Sequence, residues 1–207
     1  MLDLDSTEQN VAVGKLLDQT TNQRYRYLLQ CYLRHRYLES AGRYQEIFVP
    51  ELTVDNPAYR FSLMGQEPLV RWGREQIERL YQHWTQTDQC VFYVEDEIVA
   101  VGDHMVVGRG AAYQQTLGSE LAAGGVDADP EAMSLSKSRI AMIWRYDDRC
   151  RLLGEDVWEF VPGWGYIKLD PGDVLTAKQA GELLAPFIKP LSPFDDSLLP
   201  GLVAVTA

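Results

Sequence analysis

The sequence predicts an α+β domain in which helices come first and an antiparallel sheet follows. Residues 8–40 keep helical spacing, with Val13, Leu16, Leu17, Tyr25, Leu28, Leu29, Tyr32 and Leu33 on one apolar face. From Val91 onward the chain changes to β-branched and aromatic runs, joined by the short polar turns Gly102-Asp103 and Asp147-Asp148. Between these regions, residues 51–73 combine a strand-like Leu52-Thr53-Val54, the break Asp55-Asn56-Pro57, a turn at Gly65 and a helix start at Gln66-Glu67.

The first helical stretch admits a break near Thr20-Thr21-Asn22, and Ala41-Gly42 turns the chain into a short second helix over 43–48, stopped by Pro50. A third helix is expected over about 67–85, carrying Leu69, Val70, Trp72, Ile77, Leu80, Tyr81 and Trp84. Strands are expected at 91–94, 98–102, 104–116, 138–146 and 152–160. Residues 117–135 form a long, acidic, glycine-bearing connection, either a lid or a disordered loop. The domain spans 1–169, and 170–207 form a C-terminal extension with one short helix. Thr176-Ala-Lys-Gln179 has capping-box order there, and Pro186 ends the helix. Pro190, Pro193 and Pro200 then favour an extended path, over a neighbouring subunit or the cavity mouth, or else a frayed terminus.

The formal charge of −11 argues against nucleic acid and anionic membrane as partners, since phosphate binding needs clustered Lys and Arg. Arg24, Arg26, Arg34, Arg36 and Arg43, interleaved with tyrosines, read as a solvated helix face. Cys31, Cys90 and Cys150 are widely spaced without CxxC or histidine partners, as expected of reduced thiols. The acidic start lacks signal-peptide order and no apolar run approaches a membrane span, so a soluble cytoplasmic protein is expected. His35, His83 and His104 lack metal-ligand spacing, and Gly-x-Ser-x-Gly, phosphate-loop and dinucleotide signatures are missing. The chemistry left is metal-free, cofactor-independent acid–base work in an enclosed apolar pocket, where burial raises carboxyl pKa values.

Residues 48–73, with the helix before them and the long strands after, resemble the SnoaL-like branch of the nuclear-transport-factor-2-like superfamily. That group includes polyketide cyclases, ketosteroid isomerase, limonene-epoxide hydrolase and scytalone dehydratase. The resemblance implies a cone-shaped α+β barrel, a curved antiparallel sheet wrapped around N-terminal helices and closing on one deep cavity. It also implies a homodimer through the outer sheet face, where Arg109, Tyr113 and Arg145 are expected. Because that fold hosts enzymes, binding modules and assembly subunits, function depends on the cavity.

Overlay on ketosteroid isomerase, continuous from Tyr32 to Pro57, puts the oxyanion-hole tyrosine on Tyr32. The base carboxylate falls on Asn56 and the protonated aspartate on Met142, which counts against steroid isomerisation. Overlay on limonene-epoxide hydrolase puts its water-holding asparagine on Asn56, but its Asp-Arg-Asp relay falls on Gly110, Ala112 and Val157.

The same overlays set strand parity. They put Met142, Trp144 and Tyr146 inward on one strand and Glu155, Val157 and Glu159 on the next, with Asp156 the inward residue if parity slips. Gly108 and Gly110 suggest room for a ligand, with a sheet bend as the alternative. His104 is either an assisting wall residue or a solvent-edge one, and Tyr59, Trp72 and Tyr93 are further lining candidates. Glu155, Tyr32 and Asn56 are the catalytic candidates, with Glu155 as a neutral acid in an apolar wall. The implied function is a lyase or isomerase on a hydrophobic small molecule, terpenoid-, polyketide- or steroid-like, with terpene-epoxide opening the sharpest form. A non-catalytic binding or assembly module and a polyketide-tailoring dehydratase or cyclase remain the alternatives.

Overall fold

The structure, a computed structural model, describes residues 5–63 and 68–200, with the backbone alone at 161–163. Helix α1 (Val11–Gln19) and helix α2 (Gln23–Ser40) are separated at Thr20, which is extended. Asn22 caps α2 by accepting from the Tyr25 backbone N–H at 3.1 Å. Most of α2 is interior: Leu28, Leu29, Cys31, Tyr32, His35 and Leu38 are buried, and so are Arg24 and Arg36. The solvated-face reading fails at those two arginines because each has partners inside. Arg24 donates to the backbone carbonyls of Asp103 (2.8 Å), Asp148 (2.6 Å), Asp147 (3.1 Å) and Leu198 (3.0 Å), clasping two hairpin ends to the tail.

The strands are β1 (Ala58–Ser62), β2 (Leu69–Trp72), β3 (Phe92–Gly102), β4 (Met105–Leu117), β5 (Met133–Tyr146) and β6 (Leu152–Lys168). They form one curved sheet in the order β2-β1-β6-β5-β4-β3. Every pairing is antiparallel except β1 with β6, which run parallel with Phe61 opposite Val157. Gly154 (φ 140°) permits that junction, since a Cβ there would collide with the Ala58 backbone.

Three element assignments change. Leu52-Thr53-Val54 is not a strand; Thr53 makes a single bridge to Leu152, and the strand starts at Ala58. Leu69, Val70 and Trp72 belong to β2, an edge strand whose alternating exposure fits period two, and helix α3 starts later (Gly73–Gln86). The turn at Gly65 and the helix start at Gln66-Glu67 lie outside the described residues. The 117–135 connection is shorter than expected, because β5 begins at Met133 and helix α4 (Gly118–Ala123) fills part of it.

Helices α2 and α3 cover one sheet face, and Tyr32, Ile77, Tyr81, Val106, Trp144 and Leu152 meet in the shared core. Helix α5 (Ala177–Leu184) opens on the Thr176–Gln179 capping box and buries Ala180 and Leu184. The tail beyond it, as far as it is described, does not line the cavity. It follows this chain's own α2, with the Tyr27 hydroxyl donating to the Ser192 carbonyl (3.1 Å), Phe194 edge-on to Tyr27 and Arg149 paired with Asp196 (2.8 Å). The three cysteines are free and buried. Among the described residues, no helix is long and apolar enough to cross a membrane.

Candidate active site

Residues three and four apart share a helix face, so α2 presents Tyr32, Arg36 and Glu39 as one stripe toward the sheet. Arg36 and Glu39 reach a cavity of about 140 Å³. From β6, Glu155, Val157 and Glu159 line it, and β5 adds Met142 and Trp144. Phe61, Trp84 and Phe92 complete an aromatic wall. The volume is below the several hundred cubic ångströms usual for a small-molecule site and accommodates about one six-membered ring.

Parity along β6 is fixed from the outside. Asp156 turns away from the cavity and pairs with Arg60 (3.0 Å) and Arg145 (3.2 Å), which leaves Glu155 facing in. Glu155 is only 6% exposed, and no described residue donates a hydrogen bond to its carboxyl. Burial pushes its pKa well above the ordinary 4.5; the nearby Glu39 and Asp156 carboxyls push it further and Arg36 opposes them. Burial likewise lifts Glu39 to about 8, again against Arg36.

The Arg36 charge is already balanced. Its guanidinium donates to Glu97 (2.7 Å), the Tyr32 hydroxyl (3.3 Å) and the Gln9 carbonyl (3.3 Å). Glu97 arrives by a β-bulge between Glu95 and Ile98, with Asp96 at φ 51°. Gly110 makes room for that bulge, since a Cβ there would lie 2.9 Å from the Glu95 carbonyl oxygen. Behind this layer, His35 shares a 3.1 Å hydrogen bond with the Tyr81 hydroxyl, which donates to Tyr59 (3.4 Å). Burial first and Arg36 second depress His35 to about 3, so the imidazole is neutral.

The structure thus brings Glu155, Glu159, Met142, Trp144 and Val157 to one cavity. Tyr32 stands directly behind, its ring 4.7 Å edge-on from Trp144, and a Cβ on Gly108 would meet its hydroxyl at 3.5 Å. Tyr59 and Tyr146 are fully in the core rather than on the lining.

Five further candidates are corrected. Asn56, placed by the overlays, sits in an exposed bend two residues before β1 begins. Trp72 ends the edge strand β2, 59% exposed and covered by the Arg60 guanidinium. Tyr93 packs toward Cys90, Val91 and Ala180, because its neighbours Phe92 and Val94 take the cavity side. His104 is in the β3–β4 turn, exposed and bonded to Asp148 at 2.9 Å. Gly110 serves the bulge rather than a ligand.

Glu39 and Arg36 went unread because both looked like surface charges on a helix. Their signal was the spacing from Tyr32. Glu97 was not readable, since the bulge breaks the alternation that would locate it.

Comparison with solved structures finds several of similar outline. The epoxide hydrolase/cyclase-like enzyme SalBIII, described as having a role in pyran ring formation in the polyether salinomycin, is 14% identical over 71% of this chain and 98% of its own, with a TM-score of 0.45. A putative polyketide cyclase from Xanthomonas campestris pv. campestris is 14% identical over 67% and 92%, at 0.40. An NTF2-like protein from Anabaena variabilis is 12% identical over 79% and 98%, at 0.39. NTF2-like proteins are among the chain's structural neighbours. No family model matches the sequence, and no curated protein does.

Proposed function

We propose that this protein is a cofactor-independent acid–base enzyme, a lyase or isomerase acting on a small hydrophobic molecule, with Glu155 as the proton donor. The observation that carries it is a buried, unpartnered carboxyl lining an aromatic cavity beside a second carboxyl. An acid held neutral in such a wall can protonate an epoxide or hydroxyl oxygen. As the C–O bond breaks, positive charge develops on carbon between ring faces that exclude water. Loss of a proton from the adjacent carbon to a carboxylate then closes the sequence without consuming water. Tyr32 acts through Arg36 as a positioning group, and Asn56 has no part. A void for about one ring favours a monocyclic terpenoid-sized substrate over a steroid.

The competing reading, a ligand carrier, is favoured by a cavity without ionisable groups; Glu39 and Glu155 weigh against it. The test is turnover of a panel of monocyclic terpene epoxides and tertiary alcohols. Glu155→Gln should lose about two to four orders of magnitude in rate, the worth of a positioned acid, while ligand binding survives. A normal rate would move the acid to Glu39.

We propose further that two copies associate through the outer sheet face, where Trp158, Phe160, Ile98 and Ile167 are exposed. Tyr113, first assigned to that interface, is instead buried under Lys137 and donates to Glu95 (2.7 Å). A monomer in light scattering at micromolar concentration would reject the dimer.

A further inference from the structure

We propose that the small molecule held in this cavity carries one positively charged nitrogen, an ammonium on a ring or short chain, with Glu39 as its counter-ion. This narrows the substrate class of the proposed enzyme and rests on that reading in taking this cavity as the substrate site.

The charge inventory of the wall points this way. Two carboxyl side chains with no ion pair to a described residue line the cavity, Glu39 and Glu155, and Arg36 is the only cationic side chain among the described lining residues. Arg36 is already engaged by Glu97, the Tyr32 hydroxyl and the Gln9 carbonyl. The wall therefore holds more acid than its own cation can balance. Independently, Glu155 is more than nine-tenths buried, lines the cavity and takes no hydrogen bond from any described residue. A buried polar group normally has a partner, and a ligand donor is the partner this site lacks. The remaining wall offers the faces and edges of Trp84, Trp144, Phe61 and Phe92. Ring faces combined with a carboxylate recognise an organic cation better than a neutral or anionic group of the same shape. The volume fits one ring bearing an amine.

Of the two unbalanced carboxyls, Glu39 ionises more readily. It faces Arg36 from its own helix, Tyr59 from β1, Tyr81 from α3 and Cys90 in the turn after it, Glu155 and Glu159 from β6, and Glu97 across Arg36 from β3. Among these, Arg36 is the charge that acts on Glu39 and favours its ionisation, whereas at Glu155 the Glu39 and Asp156 carboxyls outweigh Arg36. In the empty site at pH 7 both carboxyls therefore hold their protons. An ammonium entering the site displaces one proton from Glu39, while Glu155 keeps its own and stays available as the acid. Affinity should then fall about tenfold for each pH unit below 8, as for any ligand whose binding releases one proton.

Titration calorimetry tests this with cyclohexylammonium, cyclohexanol and cyclohexanecarboxylate at pH 6, 7 and 8.5, in two buffers of different ionisation enthalpy. The ammonium should bind at least about tenfold tighter than cyclohexanol at pH 8.5, and the carboxylate should not bind. The buffer dependence at pH 7 should report release of about one proton. Glu39→Gln should abolish both the proton release and the ammonium preference while cyclohexanol binding persists. Equal binding of ammonium and alcohol, no binding of either, or an ammonium preference unchanged in Glu39→Gln would each overturn the proposal. An ammonium preference that survives in a Glu155→Gln protein with normal turnover would remove the acid assignment and leave the cation site standing.

Discussion

The two faces of β6 carry the same kinds of residue to opposite ends. On the outer face, Asp156 sits between Arg60 and Arg145, and Trp158 (38% exposed) and Phe160 (49%) lie open. On the inner face, Glu155 and Glu159 stand among aromatic rings, and Glu155 has no cation of its own. One residue of displacement separates a carboxylate that ties strands together from a carboxyl that is reluctant to ionise. Partnership, not residue type, decides which acid is tied into the sheet and which is left facing the cavity.

Substituting the adjacent acids should give the widest separation. Glu155→Gln should abolish nearly all turnover, whereas Asp156→Asn should leave the rate within about twofold, since its side chain never meets the cavity. Comparable losses in both would erase the distinction between the faces. The buried ion pair comes next. Removing one partner strands a charge in the interior, so Glu97→Gln should destabilise by about 3–5 kcal/mol in chemical denaturation. Asp156→Asn, at the half-exposed outer pairs, should destabilise by about 1 kcal/mol or less.

The inner face should also show itself in the pH dependence of stability. Glu39 titrates at an ordinary 4.5 when unfolded and about 8 when folded, so the fold holds its proton more tightly. Its contribution is complete below pH 4.5 and is lost as pH rises toward 8, and Glu155 acts in the same direction. His35 runs the other way: its contribution is complete above pH 6.5 and is lost as pH falls toward 3. Melting temperature should therefore decline between pH 6.5 and 8, and Glu39→Gln should flatten that decline; an unchanged slope in the variant would place the titrating group elsewhere. The smallest effect is expected from Tyr32→Phe, about 1 kcal/mol, because it removes one hydrogen bond from an arginine that keeps two others.

Where alternation or helical spacing runs unbroken, the sequence could be read to the level of single side chains. Trp144 and Glu155, opposite each other on β5 and β6, follow from strand alternation once the family resemblance sets its phase. The capping box at Thr176 marked a helix start to the residue. Reading failed where local rules were interrupted. Leu69, Val70 and Trp72 fit a helical stripe as well as a strand, and only pairing with β1 decides between them. Asn56 is matched only by the overlays, and it lies ahead of β1 in an exposed bend. The Glu97 side chain reaches Arg36 only because a bulge resets its neighbours, which no periodicity reveals.

The Arg24 clasp bears on the order in which the chain can be finished. Its four acceptors come from the β3–β4 turn, the β5–β6 turn and Leu198, so Arg24 waits for a residue made 174 positions later. On the ribosome, Arg24 emerges long before its partners and stays hydrated until they arrive. This seam is therefore sealed last, and a chain shortened before Leu198 should fold its sheet but leave it more open to protease.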